Sequence, residues 1–277
     1  MTDITTQFRE TIAAVEVAGE HARAYFKADS TESTQKADGS AVTEIDERIE
    51  QELSDYITAA FPDDAIVGEE GEGRDGTSGF VWHLDPIDGT DNFIRKIPFC
   101  AISVARLGDT PEDSFGIVHN PFTRQTFASL MEDGMYENEQ IRTITPYPIA
   151  GRLRLGSGRG KSEWMKTADY NLLKSFGMRY GSGKAIGCCA LELAYVAANR
   201  IDAFVIFGLH SYDYAAGLFL VRAAGGQVSV HDGTTWQAWK ASIKELCATH
   251  GATILVSHPD IHEEMRTFIG NPRDWAD

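Results

Sequence analysis

Cysteine is scarce in this sequence, and its few occurrences form no binding pattern. Only four of the 277 residues are cysteines. No two of them have Cys-x-x-Cys spacing and two are adjacent, so neither a zinc site nor a disulfide framework is expected. We interpret all four as buried free thiols; they are Cys100, Cys188, Cys189 and Cys247.

Long apolar runs are also absent. No stretch approaches the roughly 20 apolar residues that a membrane-spanning helix requires. The first residues are polar and include Asp3, whereas a secretory signal peptide has a basic start followed by an apolar middle. We therefore expect a cytoplasmic protein without a membrane partner.

Basic residues are outnumbered by acidic ones. The chain has 25 Lys and Arg against 41 Asp and Glu, which gives a net charge of −16. Such a surface repels a phosphate polymer, so a nucleic-acid partner is not expected. The excess of carboxylates has two interpretations, an acidic surface that aids solubility or a set of ligands for metal cations.

Hydrophobic periodicity predicts two helices at the start of the chain, followed by strands. Apolar residues recur at helical spacing over residues 8–26. A second helix should begin after Thr43, a good N-cap residue, and end at Pro62. Among the short strands that follow, the one at residues 80–85 should stop at Pro86.

The organisation of the chain changes near residues 140–150. Beyond this point helices and strands alternate. Before it, three apolar strands should be antiparallel neighbours in one sheet, at residues 100–107, 114–121 and 125–130. We predict two halves that share one active site, residues 1–145 and 146–277, with most metal ligands on the first half.

Three predicted strands lead into acidic residues. Glu69 and Glu70 follow one strand, Asp85 and Asp88 follow a second, and Asp213 follows a third at the start of a helix. Taken singly, these acids could be a solvated pair, a turn and a helix N-cap. Taken together, they lie where α/β proteins place ligands, at the ends of strands.

The stretch between Asp85 and Thr90 carries the most specific chemical signal. Pro86 and Ile87 form a rigid link that can aim the two flanking aspartates at one point. Oxygen ligands without His or Cys suit Mg²⁺ or Mn²⁺. Gly89 and Thr90 then offer backbone N–H groups that an anion can approach closely. This combination predicts metal-assisted hydrolysis of a phosphate ester.

At this point a family resemblance becomes clear. The sequence contains GEE at 68–70, DPIDGTDNF at 85–93 and YDYAAG at 212–217, preceded by KADGSAVTEID at 36–46. In order and separation these resemble the signatures of the inositol monophosphatase family, over roughly residues 8–258. The resemblance implies a Mg²⁺-dependent, lithium-sensitive phosphatase of small molecules and a homodimer. It also implies an α+β fold, the layered αβαβα sandwich of the inositol monophosphatase and fructose-1,6-bisphosphatase type.

The resemblance also implies roles for individual residues. Two or three Mg²⁺ ions, or Mn²⁺ in their place, would be held by Glu69, Asp85, the carbonyl of Ile87, Asp88 and Asp213. Thr90 and Asp46 would orient and deprotonate the attacking water, with Glu70 nearby. The N–H groups of Gly89 and Thr90 would hold the substrate phosphate, and Lys36 would lie at the mouth of the site. No covalent phosphoenzyme is expected.

The sequence departs from the family pattern on the substrate side. Tyr212 replaces a tryptophan, and Ile206 replaces a glutamate that contacts inositol hydroxyls. Cys188 and Cys189 stand where the family has small residues that touch the substrate ring. Asp91 occupies a position where a neutral or basic residue is common, either as a helix-start acid or as a group that repels a doubly phosphorylated substrate.

These departures affect the expected substrate rather than the expected chemistry. An inositol 1-phosphate-like polyol phosphate is the first expectation, with His210 as a substrate-side contact. The alternatives are histidinol phosphate, fructose 1,6-bisphosphate and 3′-phosphoadenosine 5′-phosphate. A catalytically silent binding protein and a phosphatase of proteins or nucleic acids are the competing classes. His83 is interpreted as a packing residue and not as a metal ligand.

Overall fold

The computed structural model describes residues 3–27, 33–35, 41–130, 133–144, 152–249 and 251–276. Its helices are α1 Ile4–Phe26, α2 Glu44–Ala60, α3 Thr90–Ile94, α4 Glu163–Tyr180, α5 Cys189–Ala197, α6 Ser211–Ala223, α7 Ile243–Cys247 and α8 His262–Ile269, with 3-10 turns at Pro259–Ile261 and Pro272–Ala276. Its strands are β1 Ser33–Gln35, β2 Ala41–Thr43, β3 Ala65–Gly68, β4 Val81–Asp88, β5 Ala101–Leu107, β6 Phe115–Asn120, β7 Gln125–Leu130, β8 Met135–Glu137, β9 Gln140–Arg142, β10 Leu153–Arg159, β11 Gly181–Lys184, β12 Ala203–Phe207, β13 Gln227–His231, β14 Trp236–Ala238 and β15 Thr253–Ser257.

Both predicted N-terminal helices are present. Helix α1 begins one turn earlier than its periodicity predicts. Helix α2 begins after Thr43, as predicted, because Thr43 and Asp46 cap each other. The backbone N–H of Thr43 donates to Asp46 Oδ2 at 3.0 Å, and the Thr43 hydroxyl donates to the same oxygen. This reciprocal cap satisfies orphan donors at the helix start and fixes the Asp46 side chain.

The first sheet has the order β3-β4-β5-β6-β7-β8-β9. Strands β3 and β4 are parallel, and β5, β6 and β7 are antiparallel neighbours, which confirms the prediction for these three strands. Alternate residues of the sheet face opposite layers because successive side chains in a strand point to opposite faces. Leu84, Ile102 and Val104 pack in the core under α1 and α2, whereas Ala101 and Ala105 pack in the next core.

The prediction that the strand containing Asp85 stops at Pro86 is wrong. Strand β4 continues to Asp88 through a register shift, with Asp85 opposite Ser103 and Asp88 opposite Ala101. Two residues on β4 therefore face one on β5, which is a β-bulge. Proline has no N–H to donate, but a bulge leaves a residue outside the ladder and tolerates it.

The second sheet has the order β11-β10-β12-β15-β13-β14. Along β12, Ala203, Val205 and Phe207 pack against α4 and α8, while Phe204 and Ile206 face α5 and α6. Helices α5 and α6 thus lie between the two sheets, with α1 and α2 outside one sheet and α4 and α8 outside the other. This is the αβαβα sandwich that the sequence predicts.

The last strand of the first sheet ends at Arg142, and the first strand of the second begins at Leu153. The assignment of residues 1–145 and 146–277 to two domains stays a prediction. In the described part of the chain, no helix is both long and apolar enough to cross a membrane. All four cysteines are buried free thiols, as predicted.

Candidate active site

Acidic residues from four separate elements meet beside the bulge of β4. Asp46 comes from the first turn of α2, Glu69 from the loop after β3, and Asp213 from the first turn of α6, while Asp85 and Asp88 flank the bulge. Their mutual repulsion shows their proximity. Burial raises the pKa of Asp85 well above its usual value, and the charges of Glu69, Asp88 and Asp213 raise it further.

Asp85 and Asp88 are both buried in this cluster. Asp85 is 1% exposed, and its Oδ1 has no hydrogen-bond partner. Burial raises the pKa of Asp88 to about 7, although the Cys188 thiol and backbone N–H groups donate to its carboxylate and act in the opposite direction. The Ala190 N–H lies 2.6 Å and Cys188 Sγ 3.2 Å from Asp88 Oδ2.

The chemistry of these residues fits a hard divalent cation. Glu69 and Asp85 interact closely, and this interaction raises the pKa of Asp85. A cation would neutralise these carboxyl groups and could bind the unpartnered Oδ1 of Asp85. Within the residues described, no three His, Cys, Asp or Glu side chains are already arranged to hold a metal ion.

Thr90 and Asp46, predicted to act on the attacking water, lie next to each other. Thr90 Oγ1 is 3.3 Å from Asp46 Oδ1 and 3.0 Å from the carbonyl oxygen of Ile87. The other carboxylate oxygen of Asp46 is held by Thr43. Burial raises the pKa of Asp46 to about 6 despite these hydrogen bonds, which suits it to exchange protons near neutral pH.

Gly89 forms a turn that only glycine can adopt at this position. Its φ of 92° lies in the left-handed region, and it immediately precedes α3. A Cβ on Gly89 would lie 3.0 Å from the carbonyl oxygen of Gly187 and 3.2 Å from that of Phe99. Asn92 holds this arrangement, because its Nδ2 donates to the carbonyl oxygens of Phe99 and Ile186 at 3.0 and 2.9 Å.

Two of the predicted substrate contacts are corrected by the structure. Ile206 has no exposed surface and faces the middle helical layer, because it alternates with residues that face α4 and α8. The Cys188 side chain is also fully buried, and its thiol donates to Asp88 rather than facing a substrate. Cys189 is 6% exposed. His210 is exposed and stacks on Tyr212, with ring centroids 5.1 Å apart.

The remaining predicted residues have varied positions. Asp91 lies in the first turn of α3, where it is exposed and pairs with Arg95 at 3.0 Å. Glu70 is half-buried in the loop that carries Glu69. Lys36 lies outside the described residues. His83 is buried in β4, and burial lowers its pKa to about 4, which fits a packing role.

Three buried polar residues around the site escaped prediction from the sequence. Asn92 connects the turn at Gly89 to residues 186 and 187, and the Glu192 carboxylate accepts the N–H groups of Ile186 and Gly187, each at 3.2 Å. Glu50 accepts three N–H groups from the loop that contains Glu69. Glu50 and Glu192 had a visible signal, because each is a charged residue on the apolar face of a helix.

The sequence matches a known protein family over most of its length. The sequence profile of the inositol monophosphatase family matches residues 4–266. Nus factor SuhB from Escherichia coli K12 is 34% identical over 211 residues, covering 75% of this chain and 78% of that protein. Nus factor SuhB from Haemophilus influenzae is 33% identical over 216 residues, with coverages of 76% and 79%.

Solved structures show the same fold. An IMPase from Thermotoga maritima is 25% identical with a TM-score of 0.80, covering 98% of this chain and all of that chain. The extragenic suppressor protein suhB from Bartonella henselae is 24% identical with a TM-score of 0.80 and coverages of 94% and 96%. From the profile match and these relatives, the chain belongs to the inositol monophosphatase family.

Proposed function

We propose that this protein is a Mg²⁺-dependent phosphatase that hydrolyses a small-molecule phosphate monoester. The observation that carries the proposal is the set of buried carboxyl groups with raised pKa values beside the Gly89 turn. Glu69, Asp85, the Ile87 carbonyl, Asp88 and Asp213 would hold the cations. Bound Mg²⁺ would neutralise the phosphate and lower the pKa of a coordinated water.

Thr90 and Asp46 would handle the proton of the attacking water. The Thr90 hydroxyl lies between Asp46 and the Ile87 carbonyl and has lone pairs left to accept a hydrogen bond from water. Asp46, with a pKa of about 6, would accept the proton when the site works near neutral pH. Glu70 belongs to the same loop as Glu69 and would assist from there.

The turn after Asp88 would bind the phosphate. Gly89 has no side chain, so an anion can approach the backbone N–H groups of Gly89 and Thr90. Asn92 fixes this turn against residues 186 and 187 through its side-chain amide. Lys36 would contribute a positive charge at the mouth of the site.

Inositol 1-phosphate or a similar polyol phosphate is the proposed substrate class. Family membership supports this choice, whereas the buried Ile206 removes a hydroxyl acceptor that such a substrate would use. The exposed ring of His210 and the half-buried ring of Tyr212, which stack on each other, would form part of the substrate side. Histidinol phosphate, fructose 1,6-bisphosphate and 3′-phosphoadenosine 5′-phosphate are the alternative substrates.

A catalytically silent binding protein is the second candidate. It is favoured by the name Nus factor, which the curated relatives carry. The presence of every predicted metal-binding acid, together with the Thr90–Asp46 pair, favours the enzyme instead.

The test is phosphate release by the purified full chain with and without Mg²⁺, on all four named substrates. We expect Mg²⁺-dependent turnover that falls by a factor of at least about 10³ in Asp85→Asn, because a shared cation ligand is lost. Asp91→Asn is the matched control, since Asp91 is exposed and belongs to the same motif. Lithium should inhibit, and light scattering should give the mass of a homodimer. Absence of Mg²⁺-dependent turnover on every substrate would refute the enzyme and favour the binding protein.

A further inference from the structure

Glu50 lies on the buried face of α2, one turn after Asp46. It is 5% exposed. Its Oε2 accepts the N–H groups of Glu69 and Glu70 at 2.9 and 2.8 Å, and its Oε1 accepts the N–H of Gly71 at 2.5 Å. We propose that Glu50 is a positioning residue that holds the Glu69–Glu70 backbone where Glu69 can bind a cation. The proposal rests on the proposed function.

Three backbone N–H donors converge on the Glu50 carboxyl group. Successive backbone N–H groups that converge on one point form a nest, which favours an anion. A carboxylate offers two acceptor oxygens with about four lone-pair sites, so it accepts all three donors. Glutamine has the same size but offers one acceptor oxygen, and its NH₂ group would face a backbone N–H.

Close approach of the loop to Glu50 accounts for the glycines on either side of Glu69 and Glu70. A Cβ on Gly68 would lie 2.4 Å from Glu50 Oε1, and one on Gly71 would lie 2.8 Å from the same atom. A side chain at either position would push the carboxylate away from the loop. The two glycines of the GEEG motif at 68–71 therefore leave room for the buried Glu50 carboxylate of α2.

The position of Glu69 matters because its carboxyl group interacts with the other acids. It hydrogen-bonds to Asp85, and its charge acts on Asp88 and Asp213. Metal-binding and catalytic groups must be held within about 0.5 Å of the positions in which they function. Helix α2 would thus set two parts of the site, Asp46 directly and Glu69 through Glu50.

The test compares Glu50→Gln with Glu47→Gln in the full chain. Both changes remove one negative charge from α2, but Glu47 is exposed. Mn²⁺ binding to the metal-free protein, measured by electron paramagnetic resonance of free Mn²⁺, needs no turnover. We expect affinity about tenfold or more weaker in Glu50→Gln, as is found for partners that orient metal ligands, and unchanged affinity in Glu47→Gln. Amide exchange at residues 69–71 should become faster only in Glu50→Gln.

A second variant keeps the test valid if Glu50→Gln does not fold. Gly71→Ala leaves the Glu50 charge in place but crowds its Oε1, so it should weaken Mn²⁺ binding in the same direction. Wild-type affinity in both variants, with unchanged amide exchange, would overturn this inference alone. Failure of the wild-type protein to bind Mn²⁺ would overturn the proposed function and this inference with it.

Discussion

Burial of several carboxyl groups in one place is costly unless a proton or a cation neutralises them. In this protein the burial is built into the fold, because Asp85 and Asp88 belong to β4, which has a neighbouring strand on both sides, and Asp46 faces that sheet from α2. Burial raises the pKa of each of these side chains. The raised pKa values therefore favour the protonated forms of these side chains when no cation is bound.

Cation binding should consequently release protons and weaken as the pH falls. Burial raises the pKa of Asp88 to about 7 and that of Asp85 well above its usual value, so at lower pH a cation that binds these two groups must displace protons. Mn²⁺ affinity should fall between about pH 8 and pH 6, and the fall should approach about tenfold per pH unit for each displaced proton once the pH lies below the pKa of that group. Calorimetry in buffers of different ionisation enthalpy counts the protons. Affinity that stays constant over this range would contradict the prediction.

Helices α5 and α6 pack closely because α6 has a glycine at their contact. A Cβ on Gly217 of α6 would lie 2.5 Å from the Cβ of Leu193 on α5. A Cβ on Gly177 of α4 would fit without a clash, because its nearest neighbour, the backbone N of Gly183, would lie 3.8 Å away. The glycine in α6 thus allows the two helices to approach each other, and the one in α4 does not serve such a contact.

Alanine substitutions at these two glycines should have opposite effects. Gly217→Ala should lower the free energy of unfolding by about 1–3 kcal/mol, because the added methyl group overpacks the α5–α6 contact. Gly177→Ala should raise it by about 0.5–1 kcal/mol, because alanine is the better helix former. Chemical denaturation of both variants beside the wild type measures the difference. Destabilisation by Gly177→Ala, or tolerance of Gly217→Ala, would contradict the packing described.

At the level of elements, local patterns could predict part of this structure. The cap at Thr43, the end of α2 near Pro62 and the antiparallel strands β5 to β7 follow from residue type and periodicity. The bulge in β4 could not be predicted, because it depends on pairing with β5, and Pro86 alone indicates an end. The helical layer that the Ile206 side chain faces could not be predicted either. Strand β12 is covered by helices on both sides, so an apolar residue is compatible with either side.

At the scale of the molecule, the site depends on the stacking of the layers. Asp213 comes from the middle helical layer, Asp85 and Asp88 from the first sheet, and Asp46 from the outer layer. A single motif is not enough to assemble these groups, because their separation is fixed by the two apolar cores that lie between these layers. Glu69, Asp85, Asp88 and Asp213 could be proposed from the sequence because strand ends of α/β proteins converge, whereas Asp46 was implied by the family resemblance. The charge of Glu50 on the buried face of α2 was visible in the sequence, but its role was not, because its partners are backbone N–H groups.

A buried histidine in the helical layer outside the second sheet should make the free energy of unfolding depend on pH. His262 is 4% exposed and lies between two serines, with Nε2 2.8 Å from Ser229 Oγ and Nδ1 2.6 Å from Ser257 Oγ. Ser257 donates its hydroxyl to the carbonyl of His258, so it accepts from Nδ1–H, and Ser229 donates to Nε2. The neutral ring satisfies both contacts, and burial lowers its pKa to about 4.

Because the folded-state pKa of His262 lies below the unfolded value of 6.5, the unfolded chain binds more protons between these two values. The contribution of the neutral His262 ring to the free energy of unfolding is therefore fully present above pH 6.5, and it is lost as the pH falls toward about 4. At about pH 5 the loss should be about 2 kcal/mol relative to pH 7. His262→Asn lacks this titration, so its deficit in unfolding free energy against the wild type should shrink by that amount. Thr267→Ala, an exposed change on the same helix, should show a pH-independent difference, and a constant deficit for His262→Asn would refute the assignment.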